Sequence, residues 1–225
     1  AMTEAAADLT RIAKENAKRR AVKIAPDAAA YNEFAAGFPF SETPDQARAI
    51  KAVRDDLASG KPMDRLVIGD VGYGKTEVAM RAAALVALTG RQVVIAAPTT
   101  VLVRQHLETF RQRFERMGIK VASLSRLSDA AERKRVKAGL ANGSISIVVG
   151  TGAVAAKDVV YAKLALVVID EEQRFGAADK AMLRKLPIGT LATCPVHGVP
   201  GAHQEPDMST ATTFEGGRAR SHRST

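Results

Sequence analysis

The sequence predicts an α/β domain in which a parallel sheet carries helices on both faces. Three observations lead there. Short Val/Ile/Leu runs alternate with longer amphipathic segments from Arg65 to Ile169. These runs are apolar throughout, as strands buried on both faces are. The first run also opens into a glycine-rich loop, Gly69-Asp70-Val71-Gly72-Tyr73-Gly74-Lys75-Thr76, followed at once by a helical pattern.

The elements follow in order. Residues 4–20 favour helix and end on the basic Lys18-Arg19-Arg20. Pro26 and the turn-like GFPFSETPD at 37–45 interrupt the chain. Thr43 suits an N-cap, with Pro44 at the first helical position and Gln46 three residues after the cap. The helix it opens is expected from Pro44 to Ser59, stopping at Gly60. Strands are expected at Arg65–Gly69, Gln92–Ala97, Lys120–Leu124, Ser146–Val149 and Leu164–Ile169. Helices are expected at 75–89, 100–117 and 128–140, with shorter ones near 152–156 and 177–186. After Pro187 the chain turns rich in Gly, Pro, Ser, Thr and His. Here a short strand at Gly189–Thr193 and then disorder are expected.

Composition narrows the function classes. With 46% hydrophobic and 25% charged residues, the chain is a globular rather than a disordered one. No apolar run approaches the roughly eighteen residues of a membrane span, and no signal-type segment leads the sequence. The single cysteine, Cys194, excludes an internal disulfide and a multi-cysteine zinc site, and implies a reducing, cytoplasmic setting. The net charge is +9, and residues 101–140 hold ten Lys and Arg against four Asp and Glu. Such a cluster can neutralise phosphates, although a solvated helix face with extra basic residues accounts equally well for the count. Seven Phe, three Tyr and no Trp argue against a base-stacking platform, so contact with nucleic acid is expected at the backbone.

The glycine loop has the G-x-x-x-x-G-K-T form in its required strand–loop–helix setting. Its glycines let several N–H groups converge on an anion, and the following helix adds its positive end. Gly69, Asp70, Val71, Gly72, Tyr73, Gly74, Lys75, Thr76 and Glu77 are therefore the phosphate-binding candidates. Lys75 would meet the β- and γ-phosphates and the Thr76 hydroxyl would ligate Mg²⁺. The competing explanation is a glycine-rich turn with a chance GKT. About a hundred residues on, LALVVID ends in Asp170-Glu171-Glu172-Gln173, at the end of a buried strand where α/β sheets hold ligands. Asp170 is the second Mg²⁺ candidate and Glu171 the candidate base that orients the attacking water. Alone, this run reads equally as a surface acidic strand end. Paired with the loop, it points to an ATPase site.

FPFSETPDQARAI, MDRLVIGDVGYGKTEVAMRAA, APTTVLVRQH, VVGTGAV and DEEQRFG occur in the order and spacing of one known family. Over roughly residues 8–186 the chain resembles the first motor domain of superfamily 2 DNA translocases, of transcription-repair coupling factor type, with the RecG group as the nearest cousin. The resemblance implies a RecA-like P-loop ATPase domain at 41–193, between an N-terminal helical extension (1–40) and an irregular tail (194–225). It implies that Gln46 reads the adenine edge, with Phe40 or Phe38 near the base, though Gln46 also suits a capping residue. It places Thr99 and Thr100 (APTT), Thr151 and Gly152 (GTG) and Arg126 (SLSR) toward DNA. Taken singly, each of these also suits a helix cap or loop. Arg104 is added to the DNA-facing set, and Arg133–Arg135 to a solvated face of general attraction. Gln173 stands where the family usually has His, which removes a titratable ring from the coupling between nucleotide and DNA sites.

The resemblance further implies ATP and Mg²⁺ as ligands, and double-stranded DNA, a second motor domain and RNA polymerase as partners. Leu191-Ala192-Thr193-Cys194-Pro195 only faintly matches the family's next motif, and the tail reads as out-of-family. The second motor domain, with its arginine finger, is absent from these 225 residues, so slow hydrolysis is expected of the chain alone. The alternative is a nucleotide- or DNA-binding module without turnover. A small-molecule P-loop kinase is excluded by the APTT and GTG motifs and by the lack of an Arg-rich lid.

Overall fold

The computed structural model describes residues 21–69, 74–186, 190–194 and 211–214. The helix expected at 4–20, and Asp70, Val71, Gly72 and Tyr73 of the glycine loop, lie outside the described residues.

The chain begins with α1 (Ala28–Ala36) and α2 (Pro44–Ser59), then β1 (Met63–Gly69) and α3 (Lys75–Ala87). β2 (Gln92–Ala96), α4 (Thr100–Phe114), β3 (Val121–Leu124), α5 (Ala130–Ala141) and β4 (Ile147–Gly150) follow. A 3₁₀ turn at Gly152–Ala155 leads to β5 (Leu164–Asp170), a second 3₁₀ turn (Glu172–Arg174) and α6 (Ala177–Arg184). β6 (Thr190–Cys194) and β7 (Ala211–Phe214) close the order. The seven strands form one sheet in the order β3-β4-β2-β5-β6-β1-β7. Every pairing in it is parallel. The RecA-like parallel architecture with helices on both faces is thus present, and β6 separates β1 from β5.

Local chemistry explains the element ends. At α2 the Thr43 hydroxyl accepts from Gln46 N–H (3.2 Å) and Gln46 Oε1 accepts from Thr43 N–H (2.9 Å), a complete capping box. Gly60 ends α2 in the left-handed conformation at φ 71°. Asp27, Thr99 and Asp129 cap α1, α4 and α5 through their side-chain oxygens. The segment expected to be one helix over 100–117 is α4 plus a 3₁₀ turn at Glu115–Met117, ended by Gly118 at φ 69°.

Strand alternation divides the core. Val93, Ile95, Leu166 and Val168 point to the face covered by α1, α2, α3 and α4. Val94, Ala96, Val167 and Ile169 point to the face covered by α5, α6 and the Gly152–Ala155 turn. At the amino end of the sheet, Gln92 is 1% exposed and fully used. Its Nε2 donates to Leu140 O (2.8 Å) and Ile145 O (2.9 Å), and its Oε1 accepts from Lys163 N–H (2.8 Å).

The segment before residue 40 supplies α1, whose Tyr31 and Phe34 are buried in the first core. The tail after Cys194 was expected to be without structure, yet residues 211–214 form β7, paired in parallel with β1 (Leu66 opposite Ala211, Gly69 opposite Phe214). Ala211–Phe214 reads ATTF, and its β-branched threonines suit an edge strand.

Candidate functional site

The candidate residues gather at the carboxyl end of the sheet. β1 ends at Gly69, where the glycine loop begins, and α3 starts after Gly74, which sits at φ 76°. Gly74 is the N-cap of α3 and offers no side-chain cap, so the first turn of α3 presents backbone N–H groups. Lys75 and Thr76 are half-buried in that turn. A Cβ at Gly74 would overlap Gln46 Nε2, so the Gln46 amide lies directly against the last glycine of the loop. Gln46 is 5% exposed, and its Oε1 is held in the capping box. Phe40 is 73% exposed and meets Phe38 edge to face (5.6 Å, 71°).

Glu77 departs from its expected place. Its side chain is 2% exposed and turns into the core rather than toward the loop. Arg81 Nε donates to Glu77 Oε1 (2.6 Å), and Arg113 Nη1 donates to Oε2 (3.1 Å). Arg81 also reaches Glu42 and the Ala35 carbonyl, and Arg113 reaches the Phe34 carbonyl. The guanidinium groups compensate a carboxylate that burial would otherwise disfavour. Arg113 belongs to the basic 101–140 stretch, so part of that charge is neutralised inside the fold.

β5 delivers the acidic cluster. Asp170 is its last residue, and the His106 ring on α4 donates from Nε2 to Asp170 Oδ2 (2.7 Å), since an ionised carboxylate can only accept. Glu171 adopts φ 50° and ψ 47°, the one non-glycine residue with positive φ among those described. Holding it there costs about 1–2 kcal/mol, a strain of the kind concentrated at working sites. Arg174 Nη1 donates to Glu171 Oε2 (2.8 Å) and Arg184 Nη2 to Glu172 Oε1 (2.8 Å). Burial alone would lower the Arg184 pKa, but the Glu172 carboxylate raises it above its ordinary value. Gln173 is exposed on the 3₁₀ turn.

The expected DNA-facing residues divide in two. Arg126 and Gly152 line one groove of about 450 Å³, together with Arg133, Lys137 and Met182. Arg133, expected as a weaker candidate on a solvated face, is half-buried at this groove, and Lys137 pairs with the exposed Asp158. Gly152 has a packing reason as well: a Cβ there would strike the Asp179 carboxylate on α6. Thr151 precedes the Gly152–Ala155 turn in extended conformation. Tyr161 fixes that turn by donating to Val154 O (2.7 Å), and burial raises its phenol well above the usual range, so it stays a donor. Thr99 and Thr100 do not line this groove. The Thr99 hydroxyl accepts from Leu102 N–H (3.3 Å) as the α4 cap, Thr100 opens α4, and Arg104 is exposed further along it. His106, Asp179 and Tyr161 were not foreseen, although His106, Phe110 and Phe114 follow one another at i+4 spacing.

Among the described residues no helix is long and apolar enough to cross a membrane, and no cluster of three His, Cys, Asp or Glu forms a metal site. Comparison with known proteins gives a consistent picture. The chain is 43% identical over 179 residues to the transcription-repair-coupling factor of Bacillus subtilis (strain 168), covering 80% of this chain and 15% of that protein. It is 41% identical over 197 residues to the protein of that name from Haemophilus influenzae, covering 86% and 17%. The chain therefore spans about a sixth of the length of these relatives. Among solved structures, RecG bound to a three-way DNA junction matches with a TM-score of 0.76 and 33% identity, covering 93% of this chain and 29% of that one. The helicase MrfA bound to DNA and AMPPNP, at 16% identity and a TM-score of 0.57, shares the fold. A family model described as DEAD/DEAH box helicase matches residues 43–197, the stretch that runs from the α2 cap through the glycine loop to β6, and the chain belongs to that family.

Proposed function

We propose that this chain is the ATP-binding half of a double-stranded-DNA translocase motor of transcription-repair coupling type, working in the cytoplasm. One observation carries the reading. Gly69 and Gly74–Thr76, which flank the glycine loop, and the pair Asp170–Glu171 stand at the same end of one parallel sheet, with a single strand between β1 and β5. ATP phosphates would lie along that edge, received by the N–H groups of the loop and of the α3 turn, with Lys75 as the cation. The oxygens of Thr76 and Asp170 suit a hard cation such as Mg²⁺, which neutralises phosphate charge when bound. His106 takes Asp170 Oδ2, so the cation would be met through Oδ1. Glu171 would swing from Arg174 to hold the attacking water. Phe40 would pack on the base, with Gln46 fixing the loop glycine behind it. Arg126, Arg133 and the Gly152 turn would grip DNA phosphates without reading sequence. Closure against a second motor domain would complete the site, and RNA polymerase is the further partner of such a motor.

The test is ATP turnover with and without duplex DNA, beside Lys75→Ala. We expect slow turnover that DNA stimulates and the variant abolishes. Nucleotide binding without any turnover at saturating DNA would instead support a binding module. That second reading is favoured by the engagement of Gln46 Oε1 and Glu171 Oε2 in contacts of their own.

A further inference from the structure

One face of α4 carries a column of rings that ends on Asp170. Phe34 of α1 meets Phe114 (4.7 Å, 40°), Phe114 stacks on Phe110 (5.6 Å, 9°), and Phe110 meets the edge of His106 (6.4 Å, 82°). His106 then donates to Asp170 Oδ2 at 2.7 Å. Phe110 and Phe114 are 1% and 0% exposed, so the base of the column is immobilised by close packing. The His106 side chain is itself only 13% exposed. A ring held on one edge by Phe110 and by α4 below has little freedom to follow Asp170, so Asp170 must follow it.

We infer that His106 is a positioning residue. It fixes the Asp170 carboxylate so that Oδ2 is committed to the protein and the other oxygen is turned to the cation. Hydrogen-bonded partners behind a metal-binding group set its orientation and are worth about 10–100-fold in metal affinity. The inference rests on the nucleotide-binding reading above. It adds that α4, which begins at Thr99–Thr100, sets the geometry of the cation site through one side chain. His106 touches Asp170 rather than the nucleotide, so it acts on the Mg²⁺-dependent part of affinity alone.

The experiment measures binding of a fluorescent ATP analogue to the full chain in Mg²⁺ and in EDTA. His106→Ala should weaken binding about tenfold or more in Mg²⁺ and leave the EDTA value unchanged. His106→Gln, whose Nε2 can also donate, should recover most of the loss. The thermal midpoint of each variant is read alongside. An alanine variant that keeps the parent's Mg²⁺ dependence overturns the inference. So does an equal loss in Mg²⁺ and EDTA, which would mark a purely structural role. A parent chain with no Mg²⁺-dependent affinity overturns the nucleotide reading, and the role of His106 with it.

Discussion

On the face of the sheet covered by α1 to α4, closure comes from volume and charge. Phe34, Phe110 and Phe114 fill it, and the buried Glu77 and Arg81 form a compensated group with the half-buried Arg113. On the face covered by α5 and α6, closure comes from missing side chains. Gly139 admits Ile145, Gly150 admits the Leu124 carbonyl and Val154, and Gly152 admits Asp179. The first face carries the helix that follows the phosphate loop, and the second carries the basic groove. The difference teaches that a motif glycine near a groove need not be there for the ligand. At Gly152 the neighbour that demands a hydrogen is a carboxylate of the same chain.

The contrast can be tested by breaking each face in its own way. Glu77→Ala should be the most damaging, at about 3–5 kcal/mol, because it leaves Arg81 and Arg113 without their shared carboxylate. Urea denaturation reads this directly, and a loss under 1 kcal/mol would show that the ion group does not hold the first face. Gly152→Ala should cost about 1–3 kcal/mol by overpacking against Asp179. Adding Asp179→Ala should return much of that, a non-additivity that a double-mutant cycle detects. Strict additivity would mean that the two residues do not share the space. Tyr161→Phe should cost the least, about 0.5–1.5 kcal/mol, by leaving Val154 O without its donor. A thermal midpoint identical to that of the parent would show that the Gly152 turn does not need this bond.

The order of elements was legible because each signal was local. Thr43, Pro44 and Gln46 mark the start of α2 within four positions, and the unbroken apolar runs of β2 and β5 declare strands covered on both sides. The strand before the loop, the helix after it and the place of Asp170 at the end of β5 were likewise legible, since those signals lie along the chain. What escaped was lateral. Nothing near Glu77 in sequence says that Arg113 will reach it from α4, and GKTE invited a reading toward phosphate. His106 and Asp170 lie sixty-four residues apart, and only the parallel order that places β2 beside β5 brings α4 over the end of β5. β7 escaped for another reason. Four residues are too few to show an alternation of their own, and they gain their place from pairing with β1.

β6 contributes no candidate catalytic group, yet it sets a length. It lies between β1 and β5, so Gly69 and Asp170, the last residues of those strands, stand two strand steps apart, about 9–10 Å along the sheet edge. On the proposed reading that interval would work as a ruler. A lone inorganic phosphate would meet one lip only, whereas a chain of three phosphates with its cation would reach from one to the other. Discrimination by polyphosphate length would then follow from the backbone spacing of the one intervening strand.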